Sequence, residues 1–198
     1  SDFVGKRIEK YYHQSSRLIY PPVDIEKFKI QNSNFKPENY FLMVGRLVSY
    51  KKFDVAIRAF NELKLPLKII GTGPEVRRLK QLAHANIEFL GQVNDDELGR
   101  YYRGARALIF PQEEDFGIVP LEAMASGRPV MAYRGGGAEE TIIENETGIF
   151  FNAQTPEAII ETVKKFDDDK FSPAICRAQA EKFSIQIFKE KIKSALNI

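Results

Sequence analysis

Cysteine occurs once in this chain of 198 residues, at Cys176, and histidine only twice, at His13 and His84. A lone thiol excludes an internal disulfide and a multi-cysteine zinc site, and it is compatible with a reducing compartment. The histidines lie far apart, with no second histidine or acidic pair at ligand spacing, so no metal is expected. No apolar run approaches the roughly 20 residues needed to cross a bilayer, and a cytoplasmic domain is the expectation. Excess charge of either sign is missing too: 29 Lys+Arg stand against 27 Asp+Glu, a net +2. Nucleic acid is therefore not an expected partner. The six-residue dinucleotide fingerprint is absent as well, because Gly71-Thr72-Gly73 runs on into Pro74 and Glu75. A nicotinamide cofactor is not expected.

What is present is an alternation of strand-length apolar runs with longer helix-period segments, the pattern of βαβ units around a parallel sheet. Strands are expected at Arg17–Tyr20, Tyr40–Val44, Leu67–Ile70, Ile87–Leu90, Ala107–Phe110, Pro129–Ala132 and Gly148–Phe151. Helices are expected at Asp54–Leu63, Glu75–Ala83, Asp95–Arg103, Val119–Ser126, Ala138–Glu144 and Pro156–Phe166, with Ser172 to Leu196 helical around a break near Phe183-Ser184. Asn94 with Glu97 reads as a capping box, and Thr155-Pro156 as a helix start with proline in its first position. Several strands are apolar throughout, as in a sheet covered on both faces. Pro21-Pro22 and the polar stretch Gln31–Asn39 read as connectors, and Asp167-Asp168-Asp169-Lys170 as a solvated loop.

The chemistry gathers just after the expected strands, where open parallel sheets bind ligands. Arg46 and Lys51 follow the second expected strand; a guanidinium fork and an ammonium suit phosphate oxygens, though a plain basic loop reads equally well in isolation. Glu113, Glu114 and Asp115 crowd together after Ala107–Phe110, so like charges meet there. Phe116-Gly117 then leads into a helix start at Ile118-Val119, whose free N–H groups suit phosphate or hydroxyl groups. Glu122 lies in that otherwise apolar helix, where a buried carboxylate is costly without a partner. The glycines Gly135, Gly136 and Gly137 permit close backbone approach or positive φ, or mark a plain turn after a strand.

Taken in order, these segments resemble the retaining family 4 glycosyltransferases. Glu114 and Glu122, with FGIVPL between them, resemble the paired-glutamate signature. Gly45-Arg46-Leu47-Val48 with Lys51 resembles the loop placed on the donor diphosphate, and Gly71-Thr72-Gly73-Pro74 the glycine turn near the nucleotide. Gly135-Gly136-Gly137-Ala138-Glu139-Glu140 with Glu146-Thr147-Gly148 resembles the stretch that closes the site. The likeness runs from about Val4 to Lys193. Lys52 stands where the family usually has glycine, and Asp115 where it often has one.

The resemblance implies an α/β fold, a doubly wound parallel sheet of the Rossmann-like kind, matching the C-terminal half of a GT-B enzyme. It implies that residues 1–198 form one donor-binding domain, whose N-terminal acceptor half lies outside this chain. The implied activity is transfer of a hexose from a nucleotide-sugar to a glycan or lipid-linked acceptor, with retention. Arg46 and Lys51 would hold the diphosphate, Glu122 the ribose and Glu114 the sugar, with Phe116–Val119 and Gly136–Gly137 completing the site. The run from Glu113 to Ile118, with Ser49-Tyr50-Lys51-Lys52 upstream, is most similar to bacterial mannosyltransferases of polysaccharide assembly. GDP-mannose leads as donor, with UDP- and ADP-sugars open, and no cofactor is implied. The whole enzyme would then work at the inner face of the membrane. A nucleotide-binding module without catalysis, or a sugar-nucleotide epimerase of the same fold, are the rival readings.

Overall fold

A computed structural model describes residues 1–28 and 37–196. Among these residues the helices are α1 (Asp2–Tyr12), α2 (Phe53–Leu63), α3 (Val76–Leu82), α4 (Asp95–Gly104), α5 (Ile118–Ala125), α6 (Ala138–Thr141), α7 (Pro156–Lys165), α8 (Pro173–Glu181) and α9 (Ile185–Leu196). The strands are β1 (Phe41–Val44), β2 (Leu67–Ile70), β3 (Ile87–Gly91), β4 (Leu108–Phe110), β5 (Val130–Tyr133) and β6 (Gly148–Phe151). They form one parallel sheet in the order β3-β2-β1-β4-β5-β6. This is the Rossmann-like order, in which the chain winds outward from the centre twice and changes direction between β1 and β4.

The strands are apolar on both faces because both faces are covered. Phe41, Met43, Ile109 and Met131 pack with α2 and α7 residues such as Phe60 and Ile159. Their alternates Leu42, Leu108, Phe110 and Val130 pack with Leu121 and Met124 of α5 and Ala180 of α8. The two-residue period sends neighbouring side chains to opposite layers, so continuous hydrophobicity is what a central strand requires. Asn94 caps α4 in a reciprocal box with Glu97. Thr155 caps α7, with Pro156 in its first turn. The break between α8 and α9 falls at Phe183-Ser184, as the sequence suggested. Cys176 is a buried residue of α8, and its thiol is pushed up to about 12 by that burial.

Three expectations need correction. Arg17–Tyr20 is not a strand: the sheet ends at β3 and β6 without it, and Leu18 and Ile19 instead line a groove against Ile187 and Lys191 of α9. The helix expected at Ala138–Glu144 stops at Thr141, because Ile142 turns extended and the Thr147 hydroxyl accepts the Ile143 N–H at 2.8 Å. Asp168 is not a solvated loop residue. It pairs with Arg106 at 2.6 Å, and that guanidinium lies 4.9 Å from the centre of the Phe41 ring. Most of the connector expected at Gln31–Asn39 lies outside the described residues. Among the described residues, no helix is long and apolar enough to cross a membrane.

Candidate functional site

The carboxyl ends of β1 and β4 meet at the reversal of strand order, and two segments leave from there. After β1 the chain runs through Gly45 and Arg46 into a short 3-10 turn at Ser49–Lys51. Lys52 then adopts a left-handed conformation, φ 55°, to start α2. That backbone suits glycine, which accounts for the glycine usual at this place in the resembling family. The arrangement points Lys51, not Lys52, into a cavity of about 1030 Å³. After β4 come Gln112, Glu113, Glu114, Asp115 and Phe116, and Gly117 at φ 85° starts α5.

An ion pair joins the two segments. Lys51 Nζ lies 2.8 Å from Glu114 Oε1, the side chains being only 12% and 19% exposed. Gln112 donates to the same carboxylate oxygen at 3.3 Å. The crowded carboxylates are sorted onto separate partners, because Asp115 takes Arg7 of α1 at 2.6 Å. Its carbonyl also accepts the Ser1 hydroxyl. Glu140 accepts the Asp2 and Phe3 N–H groups at 2.7 and 2.9 Å, which anchors the start of α1 beside the site. A carboxylate at a helix N-terminus meets both the unpaired N–H groups and the positive end of the dipole.

Lys51, Glu114, Phe116, Gly117, Ile118 and Val119 therefore share one cavity wall. Gly45, Arg46, Gly71 and Gly73 line a second hollow of about 470 Å³ with Thr72 and Gln92. The hollows adjoin at Gly45, where an added β-carbon would sit 3.2 Å from Lys51 Nζ. Gly136 and Gly137 stand behind the wall, with the Gly137 N–H donating to the Glu114 carbonyl at 2.8 Å. The missing side chains of four of these glycines serve the protein itself. A β-carbon on Gly71 or Gly73 would overlap the carbonyl oxygen of Gly45 or Leu47, and on Gly136 or Gly137 it would strike the backbone of Glu114 or Phe116.

Glu122 stands apart from both hollows, one turn deeper in α5. Its Oε2 accepts the Tyr102 hydroxyl at 2.7 Å. Burial pushes its carboxyl above the usual carboxylate range, while the Tyr102 hydrogen bond opposes that rise. A raised acid stabilises the fold fully below the ordinary value of 4.5, and that contribution is lost as pH climbs through the raised one. Glu122→Gln is therefore expected to gain on the natural chain as pH rises from 4.5 to neutrality. Melting curves across that range test it, and a gap that does not change with pH would refute it.

Sequence reasoning did not find Tyr102, nor the wall that α1 contributes through Phe3, Arg7, Lys10 and Tyr11. The signal for α1 was the i, i+4, i+7, i+8 spacing of those four residues, which share a helix face. Tyr102 carried no signal, since a tyrosine in an amphipathic helix reads as core. Among the described residues no cluster of three or more His, Cys, Asp or Glu is placed to hold a metal ion.

With this geometry in place, comparison with known proteins is informative. The family profile described as Glycosyl transferases group 1 matches residues 24–183. The GDP-mannose-dependent alpha-(1-6)-phosphatidylinositol monomannoside mannosyltransferase of Mycobacterium tuberculosis is 31% identical over 199 aligned positions, covering 86% of this chain and 52% of that protein. The sulfoquinovosyl transferase SQD2 of Arabidopsis thaliana is 29% identical, covering 90% of this chain and 37% of that protein. Among solved structures, Anabaena HepE in complex with UDP and glucose superposes with a TM-score of 0.79 at 21% identity, covering 91% of this chain and 56% of that one. The chain spans about half the length of such relatives or less.

Proposed function

The chain belongs to the group 1 glycosyl transferases, and from that membership we propose that it is the donor-binding half of a retaining hexosyltransferase of the family 4 kind. The observation that carries the reading is the Lys51–Glu114 contact of 2.8 Å beside the α5 N-terminus, at the reversal of strand order. A cation, a carboxylate and free backbone N–H groups converge there, which suits a ligand combining phosphate with sugar hydroxyls.

In this reading Arg46 and Lys51 hold the two phosphates from the adjoining hollows. Charge on the diphosphate grows as the anomeric carbon–oxygen bond breaks, so fixed cations stabilise the transition state more than the ground state. Glu114 accepts hydrogen bonds from the sugar, and the N–H groups of Ile118 and Val119 face the phosphates. Glu122 takes the ribose hydroxyls. The acceptor oxygen bonds to the anomeric carbon on the face that the diphosphate leaves, and its proton passes to the departing phosphate oxygen. GDP-mannose is the favoured donor, because the Mycobacterium relative named above uses it at 31% identity. The acceptor, a glycan or lipid-linked sugar at the inner face of the membrane, is held by a domain outside this chain.

A thermal-shift panel of GDP, UDP, ADP and their sugar conjugates tests the donor. Saturation at about 100 Kd stabilises the folded chain by about 2.7 kcal/mol, or about 5–10 °C at this size. A shift confined to the guanosine series, and lost in Glu122→Ala, is the expected result. A shift with uridine nucleotides alone would replace GDP-mannose by a UDP-sugar, and no shift with any of them would remove the donor-site reading.

A further inference from the structure

We propose that Tyr102 of α4 is a positioning residue for donor binding, holding the Glu122 carboxylate so that its remaining acceptor positions meet the two hydroxyls of a ribose. The proposal rests on the assignment of Glu122 to the ribose made above.

The helix α5 reads Ile-Val-Pro-Leu-Glu-Ala-Met-Ala, and Glu122 is its one polar side chain. A carboxylate in such a setting loses hydration, and an apolar residue there would avoid that cost. Its recorded partner is the Tyr102 hydroxyl at 2.7 Å, with Tyr102 itself 1% exposed. The Tyr102 ring is locked edge-on against Phe28, with centroids 5.6 Å apart at 86°. The phenol thus has one orientation, and it uses one of about four acceptor positions on the carboxylate. A vicinal diol brings two O–H donors on adjacent carbons, which a fixed carboxylate can take together.

Two effects follow from that phenol. It removes rotamer freedom that a ribose would otherwise have to freeze. It also favours the charged form of Glu122 against burial, with Lys27 acting in the same direction and Asp95, at the start of α4, acting against it. Burial holds the Tyr102 hydroxyl far above its ordinary value, so it remains a donor at any working pH.

A structural role for Tyr102 would weaken every ligand alike, whereas a positioning role acts only on the hydroxyls. The test measures, in the full-length protein, the affinities of GDP and 2′,3′-dideoxy-GDP, with the uridine pair run in parallel. Hydrogen bonds to a charged group imply that the natural chain prefers the ribo form by about ten- to a hundredfold. Tyr102→Phe is expected to cut that preference to about threefold or less, with dideoxy affinity unchanged as proof of an intact site. Tyr102→His, which offers a ring N–H, is expected to restore part of it. In Tyr102→Phe the preference should also fade at a higher pH than in the natural chain, since the bond that favours the ionised form has gone. Equal weakening of both ligands, or an unchanged preference, would overturn the proposal. If Glu122→Gln keeps the full preference, or neither nucleotide binds the natural chain, the ribose assignment itself fails and the proposal with it.

Discussion

Replacing Lys51 by alanine in the complete enzyme is expected to slow sugar transfer by about 10²–10³-fold, the usual cost of removing one group aimed at developing charge. Lys51 is 12% exposed and held against Glu114, so its ammonium is fixed before any ligand arrives. A preorganised charge stabilises a transition state without reorganising at the moment of reaction. The loss should fall on kcat and kcat/KM together, since the interaction strengthens as the bond breaks. Less than about a tenfold loss would deny Lys51 that role. The same contact makes Glu114 a competitor for the cation in the empty site. Glu114→Gln is accordingly expected to tighten nucleoside diphosphate binding by about three- to tenfold, the worth of a partly shielded ion pair, while slowing transfer. Tighter diphosphate binding alongside slower turnover separates a sugar contact from a purely structural pair, and weaker diphosphate binding would count against it.

The second large effect lies in the scaffold. Gly71→Ala is expected to destabilise the chain by about 4–5 kcal/mol or more, a large part of the stability of a domain this size. Gly71 has φ 134°, and an added β-carbon would overlap the Gly45 carbonyl oxygen. The neighbouring backbone has no slack to give. The Gly45 N–H is bonded to the Ile70 carbonyl at 3.0 Å, and the Gly71 N–H to that of Gly91 at 2.7 Å. Gly91 provides the control: its φ is 71°, but nothing lies within 4 Å of an added β-carbon. Gly91→Ala should cost only the left-handed backbone penalty of about 1–2 kcal/mol. Urea unfolding midpoints of the two variants make the comparison, and similar losses would refute it.

The elements were legible where one periodicity dominates. Leu67–Ile70 and Gly148–Phe151 are strands with the bounds that their apolar runs suggest. Their order across the sheet was not, because nothing in a buried run says which neighbour it takes. Arg17–Tyr20 misled for the same reason, being a short apolar run whose place depends on a partner. Tyr20 finds one in rings, 5.5 Å from Phe116 and 5.2 Å from Phe183, rather than in a ladder. At the site, residue types announced themselves while pairings did not. Charge alone could not tell that Asp115 belongs to Arg7 and Glu114 to Lys51, since both pairs close only when distant segments meet. Close backbone approach and a simple turn were equally open readings of the glycines, and at Gly71 and Gly137 the backbone approached is the protein's own.

The join between β1 and β4 carries one further meaning. Its register holds a single pair, Leu42 with Leu108, whereas β1 and β2 pair along four residues. The sheet is thus two blocks of three strands meeting at a narrow seam, and Lys51 comes from one block while Glu114 comes from the other. Each block can gain structure from contacts close in sequence, but the seam needs a long loop to close first, which costs chain entropy and slows folding. The backbone ladder across that seam is short, so side chains packed in both helical layers carry the union of the blocks, and a ligand gripped from both sides would act as a rivet through it.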